Sequence, residues 1–198
     1  MKTRILLAAV AVLGLAAAII FPLTAANSKS GTDKASAAMV KHGEYLVTLG
    51  GCNDCHTPKA FSPAAGPYPD TTRLLSGHQA NAHIKPVPSG VISMDGWLAL
   101  TNADLTAWAG PWGVSFAANL TPDNITGIGA WTEQTFISAL RTGKHMGAGR
   151  AILPPMPWQN LAQMNDDDLK AIFAYLKSLK PIENSVPLPV PPAMPGGK

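Results

Sequence analysis

Apolar side chains recur at helical spacing in three stretches of the chain. The first stretch, residues 37–51, predicts a helix whose apolar face is formed by Met39 or Val40, Gly43, Leu46 and Val47. A glycine in the middle of a helix costs up to about 1 kcal/mol relative to alanine. Gly43 therefore indicates that a second helix approaches this face closely.

The second and third helical stretches lie in the C-terminal third of the chain. Residues 164–181 combine an apolar stripe with Asn165 as a capping residue, three aspartates in the first turn, and Pro181 after the end. Residues 131–145 carry a shorter stripe and end at Gly143, a typical C-cap residue. We expect these three helices to frame the hydrophobic core.

The segment between residues 57 and 123 is rich in proline and glycine and shows no convincing strand alternation. A short helix is expected at residues 100–110, and the rest is predicted to be loop. The Pro-rich tail, residues 185–198, is expected to run extended over the surface or to be disordered. These patterns predict an all-α fold with a long loop-rich insertion at about residues 59–118.

The N-terminus has the layout of a secretory signal. Lys2 and Arg4 precede an apolar run, residues 5–23, and a polar segment follows. Residues 1–26 are therefore interpreted as a signal peptide cleaved near Ala26, or as an N-terminal membrane anchor, and residues 27–37 as a polar linker. Either interpretation predicts that the remaining chain is exported.

Charge argues against a nucleic-acid partner. The formal net charge is +3, and leaving out Lys2 and Arg4 reduces it to about +1. The rest of the chain has no basic stripe and no run in which basic and aromatic residues alternate.

The two cysteines of the chain lie in the motif CNDCH, formed by Cys52, Cys55 and His56. At this spacing two thiols can bond to the two vinyl groups of a haem while the adjacent imidazole coordinates the iron. A disulfide would close a very small loop, and a thioredoxin-like pair would need a strand before the motif. The other four histidines form no second cluster for zinc. The motif therefore predicts one covalently attached haem c.

Four segments together resemble the class I c-type cytochromes in their bacterial monohaem form. They are CNDCHTP, GIGAWTEQTFISALRTGK, LPPMPWQN and DDDLKAIFAYLKSL, in this order within residues 40–184. The resemblance implies a cytochrome c-like helical fold around one haem, occupying residues 38–184. It also implies that Gly43 and Tyr45 of the first helix lie near Phe173 and Tyr175 of the last.

The second axial ligand of the iron is expected to be a methionine. Six methionines follow the N-terminal segment: Met39, Met94, Met146, Met156, Met164 and Met194. Met156 is flanked by prolines that stiffen its loop, and it matches the place of the ligand methionine in the family. A thioether ligand favours electron transfer. Met146, His145 and His78 remain alternatives, and His78 would give a bis-histidine haem of lower potential.

Two further positions are carried over from the family. Trp131 resembles the tryptophan whose ring nitrogen binds a haem propionate, and Thr121 falls where a hydroxyl often meets the propionates. A core tryptophan and a turn-forming threonine are the competing interpretations. The tryptophans of the insertion, Trp97, Trp108 and Trp112, are expected to pack at the haem edge or to form a docking surface.

The resemblance implies a periplasmic electron-transfer protein. It would act as a carrier, or as the cytochrome subunit of a respiratory dehydrogenase or oxidase chain, with no substrate turnover of its own. One alternative is a haem peroxidase or small-gas sensor with an open distal site. Another is an assembly subunit of a membrane redox complex.

Overall fold

The computed structural model describes residues 23–192, with side chains described from residue 36 onward. By their contacts, the described residues 23–37 and 38–192 belong to two separate units. The predicted signal peptide or anchor lies largely outside the described residues. Among the helices within the described range, none is long and apolar enough to cross a membrane.

Helix α1, Leu23–Leu49, leads directly to the cysteine motif. Its backbone is helical through residues 27–37, which the sequence suggested as a polar linker. Gly51 follows with a positive φ of 65°, and helix α2, Cys52–His56, begins at the next residue. A non-glycine residue is strained in this left-handed conformation, so Gly51 allows the sharp turn between the two helices.

The other two predicted helices form near their expected positions. Helix α3, Glu133–Thr142, is capped by Thr132, whose hydroxyl accepts a hydrogen bond from the Thr135 amide, and it ends at Gly143 with a positive φ. Helix α5, Asp166–Ser178, is capped by Asn165. A short helix α4, Trp158–Leu161, lies between them.

The hydrophobic core lies where α1, α3 and α5 meet. Its buried members are Val47, Leu75, Ile128, Phe136, Ile137, Leu140, Leu169, Ile172, Phe173 and Leu176. Eight of these ten residues come from the three helices, and Leu75 and Ile128 come from loops. The stripes read from the sequence are therefore the faces that the protein buries.

The prediction of an all-α fold is wrong, because the insertion contains two small antiparallel sheets. The first pairs β1, Lys59–Ser62, with β2, Gly66–Pro69. The second is three-stranded, in the order β3 (Leu100–Thr101), β4 (Ala107–Gly110) and β5 (Gly113–Phe116). Strands of two to four residues are too short to show an alternating pattern. The fold is thus mixed α and β.

The short helix expected at residues 100–110 is also absent from that segment, where β3 and β4 lie instead. The side-chain oxygen of Asn102 accepts hydrogen bonds from the amides of Thr106 and Ala107, at 2.9 and 3.0 Å. Such bonds give the backbone an alternative to helical bonding. Leu105 has a positive φ of 58°, which ends any helical path there.

The chain after α5, including the tail as far as residue 192, is extended and bound to the rest of the unit. The side-chain amide of Asn184 donates to the carbonyls of Ser76 and His78, and its oxygen accepts from the Ala80 amide. Further along, Val190 pairs with Val114 of β5 through two backbone hydrogen bonds. Asn184 is buried, so this segment is a fixed part of the fold.

Candidate haem-binding site

His56 is the best-defined side chain of the site. It is 8% exposed and ends helix α2. Its Nδ1 donates a hydrogen bond to the carbonyl oxygen of Ala118, 2.8 Å away. A carbonyl can only accept, so this bond fixes the proton on Nδ1 and leaves the lone pair of Nε2 available for a metal. Burial lowers the pKa of His56, which keeps the imidazole neutral as a ligand must be.

The loops before and after the second sheet hold His56 in place. The Gly77 amide donates to the His56 carbonyl at 2.8 Å, and the His78 amide donates to the Ala117 carbonyl at 2.9 Å. A Cβ at Gly77 would lie 2.5 Å from the Ala117 carbonyl oxygen, so only glycine fits between these backbones. The insertion therefore forms two loops that hold the histidine. These loops, called the clamp below, contain Gly77 and His78 on one side and Ala117 and Ala118 on the other.

The two thiols lie on the same short helix and are free. Burial raises the pKa of Cys52 to about 11. Burial and the Asp54 carboxylate also raise the pKa of Cys55, opposed by Lys59 and by the nearby indole N–H of Trp108. Both raised pKa values favour the protonated thiol over the thiolate.

Met156 is half-buried in the loop before α4 and packs against the same hydrophobic core as Cys52. The loop lines a cavity of about 290 Å³, whose walls are Ile152, Pro154, Pro155, Met156, Pro157, Trp158 and Gln159. Ser115 of β5 donates a hydrogen bond to the Pro154 carbonyl at 2.5 Å. The second sheet therefore holds the Met156 loop as well as the histidine clamp.

The other methionines are placed less suitably for a buried iron. Met94 and Met146 are 88% and 53% exposed, and Met39 is also exposed. Met164 packs at the edge of the core, and Met194 lies outside the described residues. Exposed thioethers are not positioned to complete a dry pocket, and this favours Met156 as the distal ligand.

The alternative histidine ligands differ in their surroundings. His78 is buried, with Nδ1 2.9 Å from the hydroxyl of Thr106 and its ring 4.9 Å from that of Phe116. Its backbone belongs to the loops that hold His56, and its ring is occupied by Thr106 and Phe116. His145 is exposed and meets the ring of Trp131 edge-on at 5.2 Å.

Trp131 and Thr121 are placed differently from each other. Trp131 packs against the core, half-buried, at the start of the α3 segment. Thr121 is fully buried, and its hydroxyl contacts the Asn119 side chain at 2.8 Å and accepts from the Ile182 amide at 3.1 Å. The contacts of Thr121 thus join the 119–121 loop to Ile182, in the segment between α5 and the tail.

Several residues of the site could not be selected from the sequence. Ala118 contributes only its backbone carbonyl, which no side-chain pattern reveals. Ser115 and Trp108 are neighbours across β4 and β5, and they reach the Met156 loop and Cys55 respectively. The sequence pattern that could have indicated this hairpin is GPWG at residues 110–113. Its two glycines pair with each other, and the two residues between them connect strands β4 and β5.

The chemistry of these side chains fits a haem. Two thiols on one turn of helix, a neutral imidazole with a free Nε2 and a thioether in a proline-stiffened loop are the groups that attach and ligate a c-type haem. Cys52 and Met156 pack against one hydrophobic core, and Leu75, in the loop that leads to Gly77, belongs to the same core.

Comparison with known proteins supports this assignment. The chain is 31% identical to the gluconate 2-dehydrogenase cytochrome c subunit of Pantoea cypripedii, over 72% of this chain and 24% of that protein. It is 29% identical to the cytochrome c subunit of a quinone-dependent alcohol dehydrogenase of Gluconobacter oxydans, over 77% of this chain and 24% of that protein. The chain is a relative of the cytochrome c subunits of bacterial dehydrogenases.

A third relative is a nicotinate dehydrogenase subunit from Pseudomonas putida, 31% identical over 77% of this chain and 10% of that protein. The chain thus spans a tenth to a quarter of the length of these three relatives. No protein-family model matches it. At this coarse level, the resemblance to c-type cytochromes read from the sequence is confirmed.

Proposed function

We propose that this chain is an electron-transfer protein that carries one covalently attached haem and serves a bacterial respiratory dehydrogenase. The observation that carries the proposal is the presentation of His56, which is buried, neutral and oriented by Ala118 immediately after two thiols. The cytochrome subunits among its relatives support the same function. This arrangement is compatible with a separate electron carrier and with a cytochrome subunit of a dehydrogenase or oxidase chain.

Each side chain has a separate role. Cys52 and Cys55 would hold the haem covalently, and His56 and Met156 would be the ligands of its iron. When bound, the haem supplies a one-electron redox couple between ferric and ferrous iron. The carbonyl of Ala118 increases the basicity of His56, and the surrounding apolar residues exclude water from the pocket.

The fixed geometry suits electron transfer. The loops around His56 and the Met156 loop are both joined to the second sheet, so the sheet fixes the position of the two side chains that would bind the iron. With Met156 as a ligand, the iron would have no free position for a peroxide or a gas. The protein therefore contributes electron transfer and no turnover of its own.

We further propose that the protein is exported to the periplasm and meets its dehydrogenase there. The apolar run at residues 5–23 supports export. The N-terminal segment would then either be cleaved off as a signal peptide or be retained as an anchor in the inner membrane. The dehydrogenase names of the relatives support the class of partner.

The proposed attachment is tested by expressing the chain in a bacterium that matures c-type cytochromes. After denaturing electrophoresis, wild-type protein is expected to retain haem on the polypeptide, and a Cys52→Ala/Cys55→Ala variant is expected to lose it. Retained haem in the double variant, or none on the wild type, would contradict covalent attachment at these residues.

The proposed electron transfer is tested in membranes of the source organism containing the tagged protein. Addition of an alcohol or sugar-acid substrate is expected to reduce its haem, seen as a change in the visible spectrum. Membranes with His56→Ala protein serve as the control. A wild-type haem that stays oxidised while the membrane dehydrogenases turn over would contradict the proposed role.

A further inference from the structure

Trp112 connects strands β4 and β5 and carries a hydrogen-bond donor that this chain leaves unused. Its indole folds back over Gly110, where a Cβ would lie 2.4 to 2.6 Å from three carbons of the indole. Among the described residues, Trp112 Nε1 is the one buried side-chain nitrogen or oxygen without a hydrogen-bond partner. A buried donor without an acceptor is destabilising, so an acceptor from outside the chain is expected.

The face of the hairpin on which this indole lies can be read from the strand register. Trp108 pairs with Ser115, and Gly110 pairs with Gly113. Cross-strand partners share a face, and so do residues two apart along a strand, so Trp108, Gly110 and Ser115 all point to the same side. Because the Cβ position of Gly110 meets the indole of Trp112, that indole lies on this side as well.

The same face of the hairpin lies near the cysteine motif and near the Met156 loop, the two parts of the candidate haem site. Trp108 is near enough to Cys55 to affect the pKa of its thiol, although its indole N–H donates to the Leu105 carbonyl at 3.0 Å. Ser115 donates to the carbonyl of Pro154, two residues before Met156. A haem attached at Cys55 and ligated by Met156 would therefore extend along this face. Its polar groups are two propionate carboxylates, and a carboxylate is a strong acceptor for an indole N–H.

We infer that Trp112 Nε1 donates a hydrogen bond to a propionate of the bound haem. The inference rests on the proposed function, and it assigns to a residue of the insertion the role that the family resemblance gives to Trp131. Trp131 packs half-buried against the core and the ring of His145. Glycine at position 110 leaves the space that the six-membered ring of the Trp112 indole occupies.

The test compares Trp112→Phe with Trp131→Phe in the haem-loaded protein. Phenylalanine keeps an aromatic ring but removes the N–H donor. The readout is the propionate bending band in the resonance Raman spectrum, which falls in frequency when a propionate loses a hydrogen bond. We expect a lower frequency in Trp112→Phe and an unchanged band in Trp131→Phe. A band that moves only in Trp131→Phe, or in neither variant, overturns the assignment.

A second measurement follows the indole N–H itself, in haem-loaded wild-type protein with ¹⁵N-labelled tryptophan. The Trp112 indole N–H, assigned by its absence from the Trp112→Phe or Trp112→Tyr spectrum, is expected to exchange slowly with solvent. Fast exchange overturns the assignment. A wild-type chain that attaches no haem overturns the proposed function and this inference with it, whereas attached haem with an unchanged Raman band overturns only the role of Trp112.

Discussion

Gly43 of helix α1 lies directly against Ala171 of helix α5. A Cβ at Gly43 would be 1.9 Å from the carbonyl oxygen of Ala171 and 2.8 Å from the Cβ of Tyr175. The two helices therefore touch through their backbones at this point, and any side chain at position 43 would push them apart. This contact stabilises the position of α1, whose C-terminal end leads to Cys52 and His56.

Gly43→Ala is expected to destabilise the protein, although alanine is the better helix former. Inserting a methyl group where backbone atoms already meet typically costs about 1–3 kcal/mol of the free energy of unfolding. Urea unfolding followed by circular dichroism measures this loss. Thr48→Ala, on the exposed side of the same helix, is the control and should change stability little. A Gly43→Ala protein as stable as wild type would contradict the close helix contact.

Asn184→Ala is expected to lower stability because it removes three hydrogen bonds at once. The buried side chain binds the carbonyls of Ser76 and His78 and the amide of Ala80. Leaving such groups without partners costs about 1–3 kcal/mol each before rearrangement or entry of water. Glu183→Ala, at an exposed neighbouring position, is the matched control. Equal unfolding midpoints for the two variants would show that the tail is not fixed by Asn184.

His78 is expected to make stability depend on pH. Burial lowers its pKa below the ordinary value of 6.5, with Asp104 acting in the opposite direction. The unfolded chain then takes up a proton at a higher pH than the folded one. The contribution to stability is therefore complete above about pH 6.5 and is lost as the pH falls toward the folded pKa, by at most about 1.4 kcal/mol per pH unit.

The pH dependence is measured as the free energy of unfolding between pH 7.5 and 5. His78→Asn is expected to flatten the slope below about pH 6.5 relative to wild type, whatever its effect on stability at pH 7.5. His83→Asn changes an exposed histidine and should keep the wild-type slope. The same slope in all three proteins would show that His78 takes up its proton equally in folded and unfolded states.

The sequence predicted the elements whose determinants are local. Helix α5 follows from its cap at Asn165 and its apolar stripe, and the CNDCH motif is contiguous. The sheets of the insertion were missed because their strands have two to four residues and depend on pairing along the chain. The Ala118 carbonyl that orients His56 is 62 residues away from it and carries no side-chain signal.

The position of Thr121 illustrates the same limit for the site. From the sequence alone, its hydroxyl could either bind a haem propionate or stabilise a turn. In the fold it contacts Asn119 and Ile182, and Ile182 is 61 residues away along the chain. Trp112 was grouped with two other tryptophans for the same reason, because the direction of its ring depends on Gly110 and on the hairpin register.

The role of Met156 as distal ligand is the central claim, and carbon monoxide binding to the dithionite-reduced, haem-loaded protein tests it most directly. A reduced spectrum that the gas leaves unchanged in wild type and in Met146→Ala, but alters readily in Met156→Ala, is the predicted result. A wild-type haem that binds carbon monoxide readily, or a Met156→Ala haem that does not, would contradict His56/Met156 ligation.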